Sequence, residues 1–162
     1  MTHTSRGPAR AGDFDFLAGT WTIRNRRLKT RWAGSEDWEH FDGEAVCRSV
    51  AGGAGSIEEL RIPPGQPRGL GIRLLDAERG LWSDHWVSHG QGVIVPAPMW
   101  GSFADGIGTF IATDDTDGEI PIHSRGVWDR ITPTSCRWHQ AFSRDAGRTW
   151  EHNWLMDWTR VA

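Results

Sequence analysis

The chain has 162 residues, with 18 Lys and Arg against 21 Asp and Glu and a formal charge of −3. That length fits one domain able to bury a core, and the weakly acidic balance gives no electrostatic footing for nucleic acid. No apolar run approaches the roughly 18 residues of a membrane span. Cys47 and Cys136, far apart and without a partner motif, read as reduced thiols of a cytoplasmic protein.

Met1 to Gly12 lacks the apolar stretch of an export signal and reads as a loose, flexible tail ahead of a single domain over 13–162. Asp13 to Leu17 predicts one helical turn that brings Phe14, Phe16 and Leu17 to one end of the structure. Beyond it, short runs of β-branched and aromatic residues alternate with turn clusters. They predict strands over 20–33, 38–50, 55–62, 68–76, 80–88, 92–96, 107–114, 120–131, 135–143 and 150–161. Arg24, Arg26, Arg27, Lys29 and Arg31 form the one basic run, read as the solvated face of a long strand. Ten sequential strands with short links predict an all-β fold: an antiparallel up-and-down meander that loses its exposed edges by closing into a barrel. Barrels of eight or more strands are wide enough to hold a small ligand.

Eleven tryptophans and no tyrosine set the character of the interior. Residues two or four apart share a strand face. Trp82 with Trp86, and Trp154 with Trp158, therefore form rows, and rows on adjacent strands build an aromatic wall. One hairpin can be placed in register. Pairing Arg130 with Cys136 sets Trp128 opposite Trp138, Gly126 opposite Gln140 and Ser124 opposite Phe142. On the other face Asp129 meets Arg137 and Val127 meets His139. The ion pair belongs outside and the indoles inside, which puts Gln140 among aromatics. Such a polar group marks either a binding cavity or a hydrated core defect.

Asp84 lies between Trp82 and Trp86 on one face; if that face is interior, its carboxyl is a proton donor of raised pKa. Glu59 alternates with Arg61 and reads as half of a structural pair. His152 is expected to point inward with the tryptophans of the last strand. His139 points outward, so His123, His139 and His152 do not share one face and no metal site is expected. His85 and His89 stand about 13 Å apart on a strand, too far for one metal. The segment from Val93 to Gly101 is broken by Pro96 and Pro98. It reads as an edge strand leading either to a lid, with Met99 and Trp100 on the ligand, or to a loop pinned by its own apolar groups. No G-x-S-x-G, P-loop, dinucleotide fingerprint or Cys–His pairing occurs.

Two structural motifs stand out. Gly19-Thr20-Trp21 opens the first strand and resembles the G-x-W of lipocalin and calycin barrels, which implies an indole plugging the barrel floor under an Arg of the last strand, here Arg160. Ser143, Asp145, Gly147, Thr149 and Trp150 fit the S-x-D-x-G-x-T-W pattern of an Asp-box, a hairpin staple whose carboxylate is used by its own turn. With Phe14 to Trp21, Trp82 to Trp86, Arg125 to Trp128, Trp138 to Ser143 and Thr149 to Trp154, the chain resembles a bacterial family of calycin-like, lipocalin-like barrels of unknown function. The resemblance covers residues 13 to 160 and implies a barrel of about ten strands, with no catalytic residues to transfer. The more distant nitrobindins bind haem through a C-terminal histidine, a role that would fall to His152 here.

The leading expectation is a binding module without a cofactor. A small apolar, aromatic molecule would enter a cavity walled by Trp86, Trp128, Trp138 and Trp154, with Phe142, Met99 and Trp100 in contact. Gln140, His152 and Asp84 would orient it. The alternative is a lyase, isomerase, cyclase or hydratase in the same cavity, needing no organic cofactor. Asp84 or His152 would then be the acid or base and Gln140 the oxyanion donor. A homodimer with outward tryptophans at its seam is a third expectation.

Overall fold

The computed structural model describes residues 7–94 and 98–161. Ten strands follow one another: β1 (Gly19–Leu28), β2 (Trp38–Val50), β3 (Gly55–Arg61), β4 (Pro67–Asp76), β5 (Leu81–Ser88), β6 (Met99–Ala104), β7 (Ile107–Asp117), β8 (Ile120–Asp129), β9 (Ser135–Ser143) and β10 (Glu151–Arg160). Each pairs antiparallel with its chain neighbour, and β1 pairs with β10 as well as β2, so the sheet closes on itself. The fold is the all-β, closed up-and-down barrel that the meander predicts. No described helix is long and apolar enough to cross a membrane.

Alternation explains the strands locally. In β1, Trp21, Ile23 and Asn25 are buried while Thr20, Thr22, Arg24 and Arg26 face solvent. The β8–β9 hairpin has the expected register, with Trp128 opposite Trp138, Gly126 opposite Gln140 and Asp129 opposite Arg137. The Arg137–Asp129 ion pair closes at 2.6 Å on the outer face.

Two strand boundaries differ from expectation. The first strand stops at Leu28, because Trp32 and Gly34 adopt φ of 64° and 60° and turn the chain away as a loop. The sixth strand is Met99–Ala104 rather than 92–96. Residues 92–94 are not strand, and 95–97, including Pro96, lie outside the described residues. Pro98 precedes β6, consistent with a residue that cannot donate to a ladder.

A short 3₁₀ turn, Asp15–Leu17, closes one end. Phe14 packs edge-on against Trp82 and Phe103, and Phe16 against Trp128. Trp21 is fully buried and donates its indole N–H to the Leu17 carbonyl at 2.9 Å. Arg160 stands 4.2 Å over the Trp21 ring and donates to the carbonyls of Ala18 and Phe16 at 2.6 and 2.7 Å. A Cβ on Gly19 would come within 2.2 Å of the Arg160 Nη1, and Gly19 has φ of 138°, so this corner admits no side chain. Of the segment expected as a tail, residues 1–6 lie outside the described residues. Ala9 and Gly12 donate backbone hydrogen bonds to Gly80 and Gly53, which ties residues 9–12 to the floor.

Candidate functional site: the tryptophan-walled interior

Above the aromatic floor the barrel encloses a cavity of about 150 Å³. Trp86, Trp128, Trp138, Trp154 and Trp158 wall it, with Met99 and Met156 filling between the rings. The indoles meet edge-on: Trp128 with Trp158 at 5.3 Å between centroids, and Trp138 with Trp154 at 6.4 Å. This is the favoured geometry for aromatic quadrupoles. Trp86 is 41 % exposed and lies where Gly69 leaves room for its ring, at the edge of the cavity.

One wall is charged. Gly71, Arg73 and Leu75 of β4 point inward, as do Ser56, Glu58 and Leu60 of β3, while Ile57, Leu70 and Leu74 are exposed. Arg73 bonds through Nη2 to Glu58 Oε2. Its Nε lies 3.6 Å from Asp84 Oδ1, an ion-pair contact too long for a hydrogen bond. A Cβ on Gly71 would sit 3.0 Å from Glu58 Oε2 and 3.1 Å from Arg73 Nη2, so the glycine makes room for the pair. The guanidinium also lies 5.3 Å from the ring centroids of both Phe14 and Trp128. Burial raises the Asp84 carboxyl to about 6, with Arg73 opposing the rise and Glu58 adding to it.

The opposite wall is amide. Gln140 donates from Nε2 to Asn153 Oδ1 at 2.8 Å, and Trp154 donates its indole N–H to Asn25 Oδ1 at 3.0 Å. Gln140 and Trp154 also line a second hollow of about 420 Å³, shared with Arg27, Arg31, Asp117 and Phe142, which forms the barrel mouth. A strap crosses this mouth. Arg31, in the loop after β1, donates from Nε and Nη2 to the two Asp117 carboxylate oxygens at the end of β7, at 2.8 and 2.5 Å. The indole N–H of Trp32 adds a third bond to Asp117 at 2.9 Å. These donors hold the Asp117 carboxyl below its ordinary value.

Of the residues expected at the site, Asp84, Gln140, Trp86, Trp128, Trp138, Trp154 and Met99 meet around the cavity. Three do not. His152 faces outward: the β9–β10 register shifts between His152 and Trp154, and the extra residue, Asn153, takes the inward place. Its ring lies 5.6 Å from His139 on the outer face, and burial lowers both imidazoles. Both histidines that were expected on opposite faces thus share one, yet no cluster of three metal-ligating side chains forms among the described residues. Trp100 pairs with Ser83 and Ile111 on the outer face and packs under Arg79 at 4.6 Å. Phe142 faces the mouth, not the inner cavity. Glu59 bonds outward to Arg61 at 2.9 Å. Asp145 accepts from Ser143, the Thr149 amide and the Thr149 hydroxyl, the self-contained turn of an Asp-box.

Sequence reasoning missed Glu58 and Arg73. Arg73 is flanked by Ile72 and Leu74 and Glu58 by the outward Ile57, an inversion of the usual pattern. The signal that was available is glycine at 69 and 71, four and two places before Arg73 and in phase with it.

No protein-family model matches the chain, and no curated protein matches it in sequence. Its fold is similar to the crystal structure of Rv2717c from M. tuberculosis. The TM-score is 0.58 at 12 % identity, with 92 % of this chain and 95 % of that chain covered. At that identity the likeness is one of fold.

Proposed function

We propose that the protein binds a small, flat, apolar molecule in the barrel interior. The observation that carries this reading is the cavity of about 150 Å³ walled by five indoles. An apolar hollow of about that size is enough for a benzene ring, and aromatic walls supply contact area while a few polar groups set the pose. The calycin-like affiliation belongs to the same reading, supported by Gly19, Trp21 and Arg160 at the floor. A cytoplasmic location is supported by Cys47 and Cys136, two buried free thiols whose ionisation burial suppresses. The test is titration of the intrinsic tryptophan fluorescence with benzene and indole, together with native mass spectrometry of protein purified without denaturant. Saturable quenching or a retained small mass is expected. Neither signal with either probe overturns the reading.

Acid–base catalysis without an organic cofactor is the second reading, supported by the Asp84 carboxyl held near 6 beside the cavity. His152 and the haem role drawn from it drop out, because that ring is outside the barrel. Asp84→Asn separates the two readings: an enzyme keeps ligand affinity and loses turnover, whereas a carrier changes only in affinity. A homodimer is supported by exposed Ile57, Leu70 and Leu74 rather than by outward tryptophans, and static light scattering tests it.

A further inference from the structure

The cavity has a chemical bias in its hydrogen bonding. Five buried nitrogen atoms on its lining residues have no hydrogen-bond partner among the described residues: Arg73 Nε and Nη1, Trp128 Nε1, Trp158 Nε1 and His85 Nδ1, whose role depends on its tautomer. The four on Arg73, Trp128 and Trp158 are donors without acceptor capacity. Arg73, Trp128 and Trp158 are each at least nine-tenths buried, and they are contiguous: guanidinium to Trp128 at 5.3 Å, Trp128 to Trp158 at 5.3 Å. A buried donor left unmet costs about 1–3 kcal/mol, so an occupant carrying an acceptor is favoured over one that carries none.

Charge narrows the acceptor. Among the described residues, Glu58 and Asp84 are the two acids that lie on the buried Arg73 guanidinium. The set is therefore already balanced or negative. A carboxylate ligand would add a further negative charge to a dry site, and a cationic ligand would find its place taken by Arg73.

We infer, on the binding reading above, that the ligand is an aromatic molecule bearing an uncharged carbonyl, whose oxygen accepts from Arg73 and from the indole N–H groups of Trp128 and Trp158. The rings take the Trp138, Trp154 and Met156 side of the cavity, and the carbonyl takes the Arg73 side.

Four probes of nearly equal shape test this by calorimetry on the wild-type chain at pH 7.5: ethylbenzene, acetophenone, benzoate and benzylamine. Acetophenone loses its hydrogen bonds to water on entering a protein interior, so a cavity without free donors prefers ethylbenzene. Here acetophenone is expected to bind at least tenfold more tightly than ethylbenzene and than either charged probe. Trp128→Phe and Trp158→Phe keep a ring and remove an N–H. At least one is expected to cut the acetophenone-to-ethylbenzene ratio several-fold while ethylbenzene affinity changes less.

Equal or tighter binding of ethylbenzene overturns the carbonyl inference and leaves the cavity reading standing. Tighter benzoate or benzylamine overturns the charge argument. An unchanged ratio in both variants removes the indoles from the site. If no probe binds, the binding reading itself fails. The wild-type ratio decides the inference even where a variant does not fold.

Discussion

Arg73 on β4 and Glu58 on β3 form an ion pair inside the barrel, with 5 % of each side chain exposed. Glu58 lies opposite Gly71 in the ladder, so the guanidinium reaches back over a residue that has no side chain. Asp84, on β5 and opposite Arg73, completes a charged wall in an otherwise aromatic interior.

Removing the cation from this wall strands two buried carboxyl groups. Arg73→Met is expected to lower stability by about 3–5 kcal/mol, the cost of breaking a buried pair from one side. Urea denaturation measures it. A loss under 1 kcal/mol would mean that the wall is hydrated enough to do without its guanidinium.

Asp84 makes stability depend on pH in a definite direction. Its folded pKa, about 6, is above its unfolded value of 3.8. Between these values the folded state holds the proton more tightly, so Asp84 contributes stability below about 4 that is lost as pH rises to about 6. Asp84→Asn removes this dependence. The variant should gain on wild type across that window by an amount on the order of 3 kcal/mol and run parallel to it above pH 7. Denaturation midpoints at half-unit pH intervals would reveal it; parallel curves from pH 4 to 6 would contradict the buried carboxyl.

On the binding reading, the strap across the mouth is expected to govern ligand exchange more than stability. Arg31 and Asp117 are partly solvated, with side-chain exposures of 39 % and 13 %. Asp117→Ala releases Arg31 and the Trp32 indole together. Probe dissociation, followed by stopped-flow tryptophan fluorescence, is expected to accelerate several-fold, with a stability change of about 1 kcal/mol or less. An unchanged rate would show that ligand enters elsewhere.

Asp145 is a turn residue, and its variant should behave as one. Asp145→Ala removes the acceptor for the Thr149 amide. Faster hydrogen exchange at Thr149 and its neighbours is expected, with probe affinity unchanged. A loss of affinity would relocate the site toward the Asp-box.

The parts of the molecule legible in advance rest on local alternation. The Trp128–Trp138 and Asp129–Arg137 pairings follow from two faces of one hairpin agreeing on a single register. The Trp21–Arg160 contact follows from closure, which makes the last strand a neighbour of the first. Asp84 and Gln140 point inward because they share parity with the buried Trp82 and the half-buried Trp138.

His152 fails that logic for one reason. Parity carries along a strand only while the ladder is regular, and the irregularity at Asn153 reverses it between His152 and Trp154. Trp100 sits outward because β6 begins at Met99, past two prolines that obscure its phase.

The amino-acid order alone determined the class of fold, the number of strands and which indoles share a strand face. These depend on near neighbours, and a period of two is written in the chain. The tertiary structure decided which charges are buried. Glu58, Arg73 and Asp84 lie on three consecutive strands, and the β3–β4 and β4–β5 pairings bring them within reach of one another. A buried cation is tolerable because of partners across the sheet, and no residue adjacent in sequence records them.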